Sequence, residues 1–357
     1  MDRGESIITA IQGKAILAPM LATTDIPFRR ICREYGAALT MTEMVSAVGI
    51  LRSASESYRN AVFSRDEHPI AIQIVASDPD NAAAAIRELA VLKPDVFDLN
   101  CGCPNERICE AGAGAELLDD LPRMGRIIAA AVRASSVPIS VKMRTHGLRG
   151  RASVAEIARM TEDNGASWLT LHARARNTPY DVAANWSHIA DAVSAVSIPV
   201  VGNGDVFSAA DAFRLMDNTG CAAVMVARGC LGTPWIFDDI RQGHRCDIHS
   251  NAPDATALRP VVSRHLRMML EEFGEIRALV RMRKHALWYA RRFVDAESLR
   301  TAVFATQNAD EVARRVDAWF AASPHTLDPY SPETHERELA FRRRVLYWTS
   351  DAVQAEG

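Results

Sequence analysis

The stretch DLNCGCPNERI (98–108) sets Asn100, Cys101, Cys103 and Pro104 at the end of an apolar run. A disulfide between Cys101 and Cys103 would span a single glycine, a strained closure that a reducing compartment also disfavours. Metal binding is a poor fit. Cys101, Cys103 and Cys109 lack the paired spacings and matching His or Cys partners of a zinc site, so no metal is expected. Two readings stay open on these residues. A thiol with a pKa of about 8.5 is mostly protonated at neutral pH and can act as a general acid. An inert, buried cysteine is the commoner outcome.

Other segments carry chemistry of their own. Lys142 lies in the apolar run ISVKMR (139–144) and is costly to bury without an anion. It is either a rim residue or a cation facing an electron-rich ring, such as the negative edge of a reduced flavin. Gln73, in IAIQIV, has the hydrogen-bonding pattern for a flavin's pyrimidine edge. His172 closes WLTLH and is a candidate site residue or a structural histidine. GNGD (202–205) and ARGCLGTPW (227–235) are glycine-rich turns where backbone N–H groups and Arg228 can hold a phosphate.

These residues need elements to position them. Eight short apolar runs alternate with helical patterns: AILAP (15–19), ALTMTEM (38–44), IAIQIV (70–75), VFDLN (96–100), ISVKMR (139–144), WLTLHA (168–173), IPVVGNGD (198–205) and AAVMVARG (222–229). The helical stretches open on Ser or Asp and close on Gly, as helix caps do. Strand then helix, eight times, is the arithmetic of a (β/α)₈ TIM barrel. A doubly wound open sheet competes, but an early GxGxxG loop is missing. In a barrel the active site sits at the C-terminal strand ends, which here read Pro19 and Met20, Glu43, Gln73, Asn100 with Cys103, Lys142 with Arg144, His172 with Arg174, Asn203 to Asp205, and Arg228. The expected organisation is a catalytic α/β barrel over 1–245, an all-helical domain over 255–325, and a helical C-terminal extension over 326–357. DDIRQGHRCDIHSNAPDATAL (238–258) reads as an irregular linker.

The balance of 41 Lys and Arg against 44 Asp and Glu leaves a net charge of −3, so any nucleic-acid affinity must come from a local basic face. Seven irregularly spaced cysteines without a secretory signal argue for reduced thiols and a cytoplasmic protein. No apolar run is long enough for a membrane span. No protein partner is legible.

Taken together, LAPMLATTDIPFRRICREYGAALTMTEMVSA (17–47), IAIQIVASDP (70–79), DLNCGCPNERICEAGAGAELL (98–118), VKMRTHG (141–147), LTLHARARNTPY (169–180), IPVVGNGDV (198–206) and VMVARGCLGTPWIF (224–237) resemble the tRNA-dihydrouridine synthase family, in particular its bacterial members. A weaker likeness continues through RALVRMRKHALWYARRF (277–293). The resemblance implies reduction of the C5–C6 double bond of particular uridines in tRNA, using FMN and NADPH. Reduced FMN would pass a hydride to C6, and the cysteine of the N-x-G-C-P motif, here Cys103, would protonate C5. Asn100 would hold the uracil. The implied FMN contacts are Pro19, Met20, Leu21, Gln73, Lys142, His172, Asn203, Gly204, Asp205, Ala227 and Arg228, with Arg144 and Arg174 on the substrate side. The chain departs from the family pattern at Ala173, Ala175, Val182, Glu106, Arg107 and Ala227, which puts the path of the loop at 173–184 in question.

For a tRNA partner the segment 277–292 offers Arg277, Arg281, Arg283, Lys284, Arg291 and Arg292 without an acid. Arg277, Arg281, Lys284 and Arg291 recur near helical spacing and are expected to line one phosphate-facing stripe, with Arg281 and Lys284 as substrate contacts. FRRRVLYW (341–348) is a second basic candidate. The rival functions are an FMN barrel that reduces a small enone or pyrimidine, and an RNA-binding barrel without chemistry.

Overall fold

The computed structural model describes residues 3–247, 250–322, 324–328 and 331–344. Its strands are β1 (Ala15–Leu17), β2 (Thr40–Met41), β3 (Val45–Ser46), β4 (Ile70–Val75), β5 (Val96–Cys101), β6 (Ile139–Arg144), β7 (Trp168–His172), β8 (Val200–Asn203) and β9 (Ala223–Val226). All pair in parallel in the order β1-β9-β8-β7-β6-β5-β4-β2, and β3 is a second short segment on β4. The sheet curls round until β1 meets the approach to β2. There the Leu17 and Ala38 N–H groups donate to the carbonyls of Leu39 and Ala15, each at 2.9 Å. The architecture is the expected (β/α)₈ barrel. One detail differs: the run 38–44 is a split strand, and Glu43 lies in the break between β2 and β3.

Period-two alternation explains which side chains point where. Phe97, Leu99, Val141, Met143, Leu169 and Leu171 belong to the apolar layer shared with the surrounding helices. The alternate positions face the barrel axis and change character with height. Ile16, Ala71, Val96, Trp168, Val201 and Met225 form an apolar floor. Above them come Gln73, Asp98, Ser140 and Thr170, and then Asn100, Lys142, Arg144 and His172 at the mouth. Helix Arg3–Ile11, which sequence patterning did not mark, seals the floor by packing Ile11, Ile7 and Ile8 against it.

Beyond the barrel, Asp238–Gln242 is not linker. It belongs to helix Ile236–Gln242, which ends at left-handed Gly243. The following Ala255–Ala290 helix breaks at Gly274 (φ 66°, ψ 170°) and packs with Ala296–Phe304 and Ala309–Ala321 around Leu258, Leu266, Met282, Phe293 and Phe320. Residues 324–328 turn back, Thr326 bridging Phe293, and lead to a terminal helix, Pro332–Arg344. Among the described residues no helix is long and apolar enough to cross a membrane.

The helical region presses directly on the barrel. Phe28, from barrel helix Ile26–Glu34, meets His265 and His285 of the long helix at ring separations of 5.8 and 5.0 Å. Gly232 (φ 68°) abuts the long helix so closely that a Cβ there would lie 2.2 Å from the Trp288 carbonyl oxygen. Gly232→Ala therefore adds both backbone strain and a backbone clash. It is expected to lower unfolding stability by roughly 2 kcal/mol or more. Denaturant titration of the two proteins checks this; an unchanged midpoint would refute it.

Candidate active site

Cys103 rides on the loop after β5, and its position is set by side chains below it. The Oδ1 of Asn100 accepts the N–H groups of Gly102 (3.1 Å) and Cys103 (2.9 Å), while its Nδ2 donates to Gln73 Oε1 (2.8 Å). Gln73 Nε2 donates to Asp98 (2.7 Å), whose other oxygen accepts from the Ser140 hydroxyl (2.6 Å). The carbonyl of Cys103 receives the Ala115 N–H at 3.0 Å. Gly114 (φ 60°) passes close beneath, where a Cβ would come within 2.7 Å of that carbonyl. Arg144 Nε donates to the Gly102 carbonyl at 3.0 Å and fastens the loop from the far side.

Burial is the largest influence on the Cys103 thiol and pushes its pKa up, with Cys109 adding to it. A backbone hydrogen bond at Asn105, Arg144 and Lys142 act the other way. The thiol is therefore a protonated donor at neutral pH. Cys101 is fully buried and, chiefly by burial, still less able to ionise.

Beneath the mouth, burial pushes Asp98 up to about 6 and Lys142 down to about 8. Both are ionised between those limits, and each favours the other's charge. Among the described residues no hydrogen-bond partner reaches the Lys142 ammonium. His172 is held neutral, first by burial and then by Arg144, Lys142, Arg174 and Arg228 around it. Arg174 Nη1 lies 3.4 Å from His172 Nε2. With Nε2 as acceptor, the ring keeps an Nδ1–H to donate.

Several expected site residues have roles the sequence did not show. Arg144 and Arg174, expected as substrate contacts, are both 2% exposed and tied to protein. Arg144 donates to the Ala175 carbonyl and the Tyr180 hydroxyl as well as to Gly102. Arg174 holds the Val182 carbonyl and both oxygens of Asp205. The two guanidiniums are struts for the 173–184 loop. Asp205, in left-handed conformation (φ 54°), also accepts the Ala184 N–H and Arg228 Nη2. Asn203 Nδ2 donates to the Met225 carbonyl. Pro19, Met20, Gly204 and Ala227 line the mouth at their strand ends, and Leu21 is exposed.

The free basic stripe is not what forms. Arg281 lies 3.3 Å from Asp25, and Lys284 is buried and donates to the Ala22 carbonyl. Arg283 donates to the Val303 carbonyl, Arg291 pairs with Glu338, and Arg292 stacks over Trp235. Of these residues only Arg277 is exposed. The stripe faces the barrel, because the seam between the two regions holds carbonyls and the carboxyls Asp25 and Glu43. Arg342, from the second basic segment, lies over the Phe207 ring, and 345–348 lie outside the described residues.

Three residues escaped sequence reading: Asp98, Ser140 and Tyr180. The Tyr180 ring has Arg144, Arg174 and Arg228 at 5.4, 5.4 and 4.7 Å from its centroid. Among the described residues no group of three or more His, Cys, Asp or Glu side chains converges as a metal site.

With this geometry in place, comparison with known proteins is specific. The family described as "Dihydrouridine synthase (Dus)" matches residues 16–323. A "Probable tRNA-dihydrouridine synthase" of Mycobacterium tuberculosis is 33% identical over 309 residues, covering 83% of this chain and 79% of the relative. "tRNA-dihydrouridine synthase B" of Pseudomonas aeruginosa is 32% identical over 311 residues, covering 87% and 94%. "Probable tRNA-dihydrouridine synthase 1" of Synechocystis sp. is 33% identical over 302 residues, covering 84% of each chain.

The raised thiol pKa has a direct chemical readout. Thiolate is the form that alkylates, so iodoacetamide should label Cys103 with a pH midpoint above that of free cysteine. Peptide mass spectrometry across a pH series measures it. A midpoint below free cysteine's would contradict the burial argument.

Proposed function

The chain belongs to the dihydrouridine synthase family, and on that premise we propose that it reduces the C5–C6 double bond of particular uridines in tRNA, with bound FMN and with NADPH as reductant. The observation that carries this reading is a protonated Cys103 thiol on a loop fixed by Asn100 and Arg144, beside a cationic barrel mouth.

The residues present fit a phosphorylated, electron-rich cofactor. Among the described residues Lys142 has an ammonium without a hydrogen-bond partner, and the surrounding arginines outnumber the acids they face. Lys142 would carry the negative edge of the ring. Gln73 keeps one N–H and one lone pair for the ring's polar edge. His172 offers a neutral N–H, Pro19, Met20 and Leu21 would pack alongside, and Asn203, Gly204, Asp205, Ala227 and Arg228 would form the phosphate end. FMN held there would supply the hydride for C6, with NADPH as its reductant.

The remaining steps belong to the chain. A uridine in folded RNA is stacked and must be extruded to reach the mouth. Asn100 retains one Nδ2–H for a uracil carbonyl, so the residue that fixes the loop would also orient the base. Cys103 then gives its proton to C5. The resulting thiolate is favoured by Lys142 and Arg144 and recovers a proton from water. A thiol already ionised in the resting enzyme would have no proton to give. Exposed Arg277 is left to meet RNA phosphate, and a tRNA substrate with NADPH assigns the work to the cytoplasm.

Two measurements test the reading. Cys103→Ala should keep its flavin absorbance and tRNA binding while losing dihydrouridine formation by at least about a hundredfold; undiminished turnover would overturn the general-acid role. Mapping dihydrouridine in RNA from cells with and without the gene should reveal positions that depend on it, and identical maps would remove the proposed activity.

A further inference from the structure

The terminal helix Pro332–Arg344 reaches back from the helical region to the barrel mouth. It is poorly equipped to dock by apolar burial, since PETHERELAFRRR offers little beyond Leu339 and Phe341, and Leu339 is itself exposed. A cavity of about 450 Å³, lined in part by Trp288, Arg291 and Phe341, lies between it and the long helix. What holds it is polar. Glu338 pairs with Arg291 at 3.2 Å, and Arg337 donates to the Phe293 and Val294 carbonyls at 2.9 and 3.2 Å.

At its far end Arg342 arrives beside the loops that follow β8 and β9. Its carbonyl accepts Arg228 Nη1 at 2.5 Å. The Arg342 and Arg228 guanidinium carbons lie 4.4 and 5.2 Å from the centroid of the same Phe207 ring. Arg342 Nε is buried and has no hydrogen-bond partner among the described residues. Three guanidiniums thus gather here, Arg174, Arg228 and Arg342. The only carboxylate they touch among the described residues is Asp205, which serves Arg174 and Arg228. The group carries two positive charges in excess. A phosphate monoester carries about that much negative charge at neutral pH, with three acceptor oxygens.

The geometry points to Arg342 as a second guanidinium for the cofactor's phosphate, with the terminal helix acting as a strap whose docking is completed by that anion. This rests on the FMN reading above and extends it to a segment outside the barrel. Binding and docking are then reciprocally coupled: the phosphate favours the docked helix, and the docked helix tightens the phosphate. Buried cations of like charge disfavour one another, so without an anion their proximity is a cost.

The experiment compares FMN with riboflavin, which lacks the phosphate, on full-length protein stripped of flavin. Affinities come from quenching of flavin fluorescence. Arg342→Ala should weaken FMN roughly tenfold while leaving riboflavin unchanged, and Arg342→Lys should recover part of the loss. In the unsubstituted protein, FMN but not riboflavin should slow proteolytic cleavage within 324–344. Equal weakening of both flavins, or of neither, would overturn the strap while leaving the flavin reading in place. A protein that takes up neither flavin would overturn both.

Discussion

The site depends on one amide. Asn100 turns its oxygen up to two backbone N–H groups of the cysteine loop and its nitrogen down to Gln73. Gln73 then leans on Asp98, and Asp98 on Ser140. The chain of hydrogen bonds crosses three adjacent strands, so the height and orientation of Cys103 are inherited from the barrel wall rather than from its own loop. A buried network of this kind holds only when each member is satisfied. Here each of the three side-chain links is made, and one N–H on Asn100 and one on Gln73 are left over for a ligand. Replacing any link leaves a polar group stranded among the apolar floor residues, where it is costly.

Above that network the mouth is strongly cationic although the whole chain is slightly acidic. Lys142, Arg144, Arg174 and Arg228 all bear on His172, and burial weakens the hold on protons of both Lys142 and Arg228. Two of these cations, Arg144 and Arg174, are locked into backbone carbonyls and Tyr180. They supply field and rigidity without being free to move toward a ligand. Among the described residues Lys142 has no such partner. The division separates groups that shape the site from a group left to answer a bound anion.

Much of this was legible in the sequence, for a definable reason. Period-two alternation in VFDLN, ISVKMR and WLTLH tells which residues face inward, and strand-end position tells which lie at the mouth, so Asn100, Lys142 and His172 could be named directly. Asp98 was not, because a single acid inside an apolar strand gives no hint of partners that are remote in sequence. Tyr180 sits in an irregular loop and acquires meaning only when Arg174 of the same loop and arginines from two other segments close round it. The pairing of the basic stripe of 277–292 stays hidden in the sequence for a different reason. Helical spacing says which side chains share a face, but it says nothing of whether that face meets water or another domain. The split second strand at Glu43 and the helix at Ile236–Gln242 are local features that apolar runs and linker-like composition conceal.

The contact at Gly232 has a wider consequence. Backbone meets backbone there, with no side chain between barrel and long helix to act as a cushion or bearing. The seam around it adds aromatic rings and a guanidinium bound to a carbonyl. Sliding along this joint would drive one backbone into the other. The separation between the barrel opening and the outer surface of the helical region is therefore a built-in ruler, and any long molecule that engages both must bring its own bend to match it.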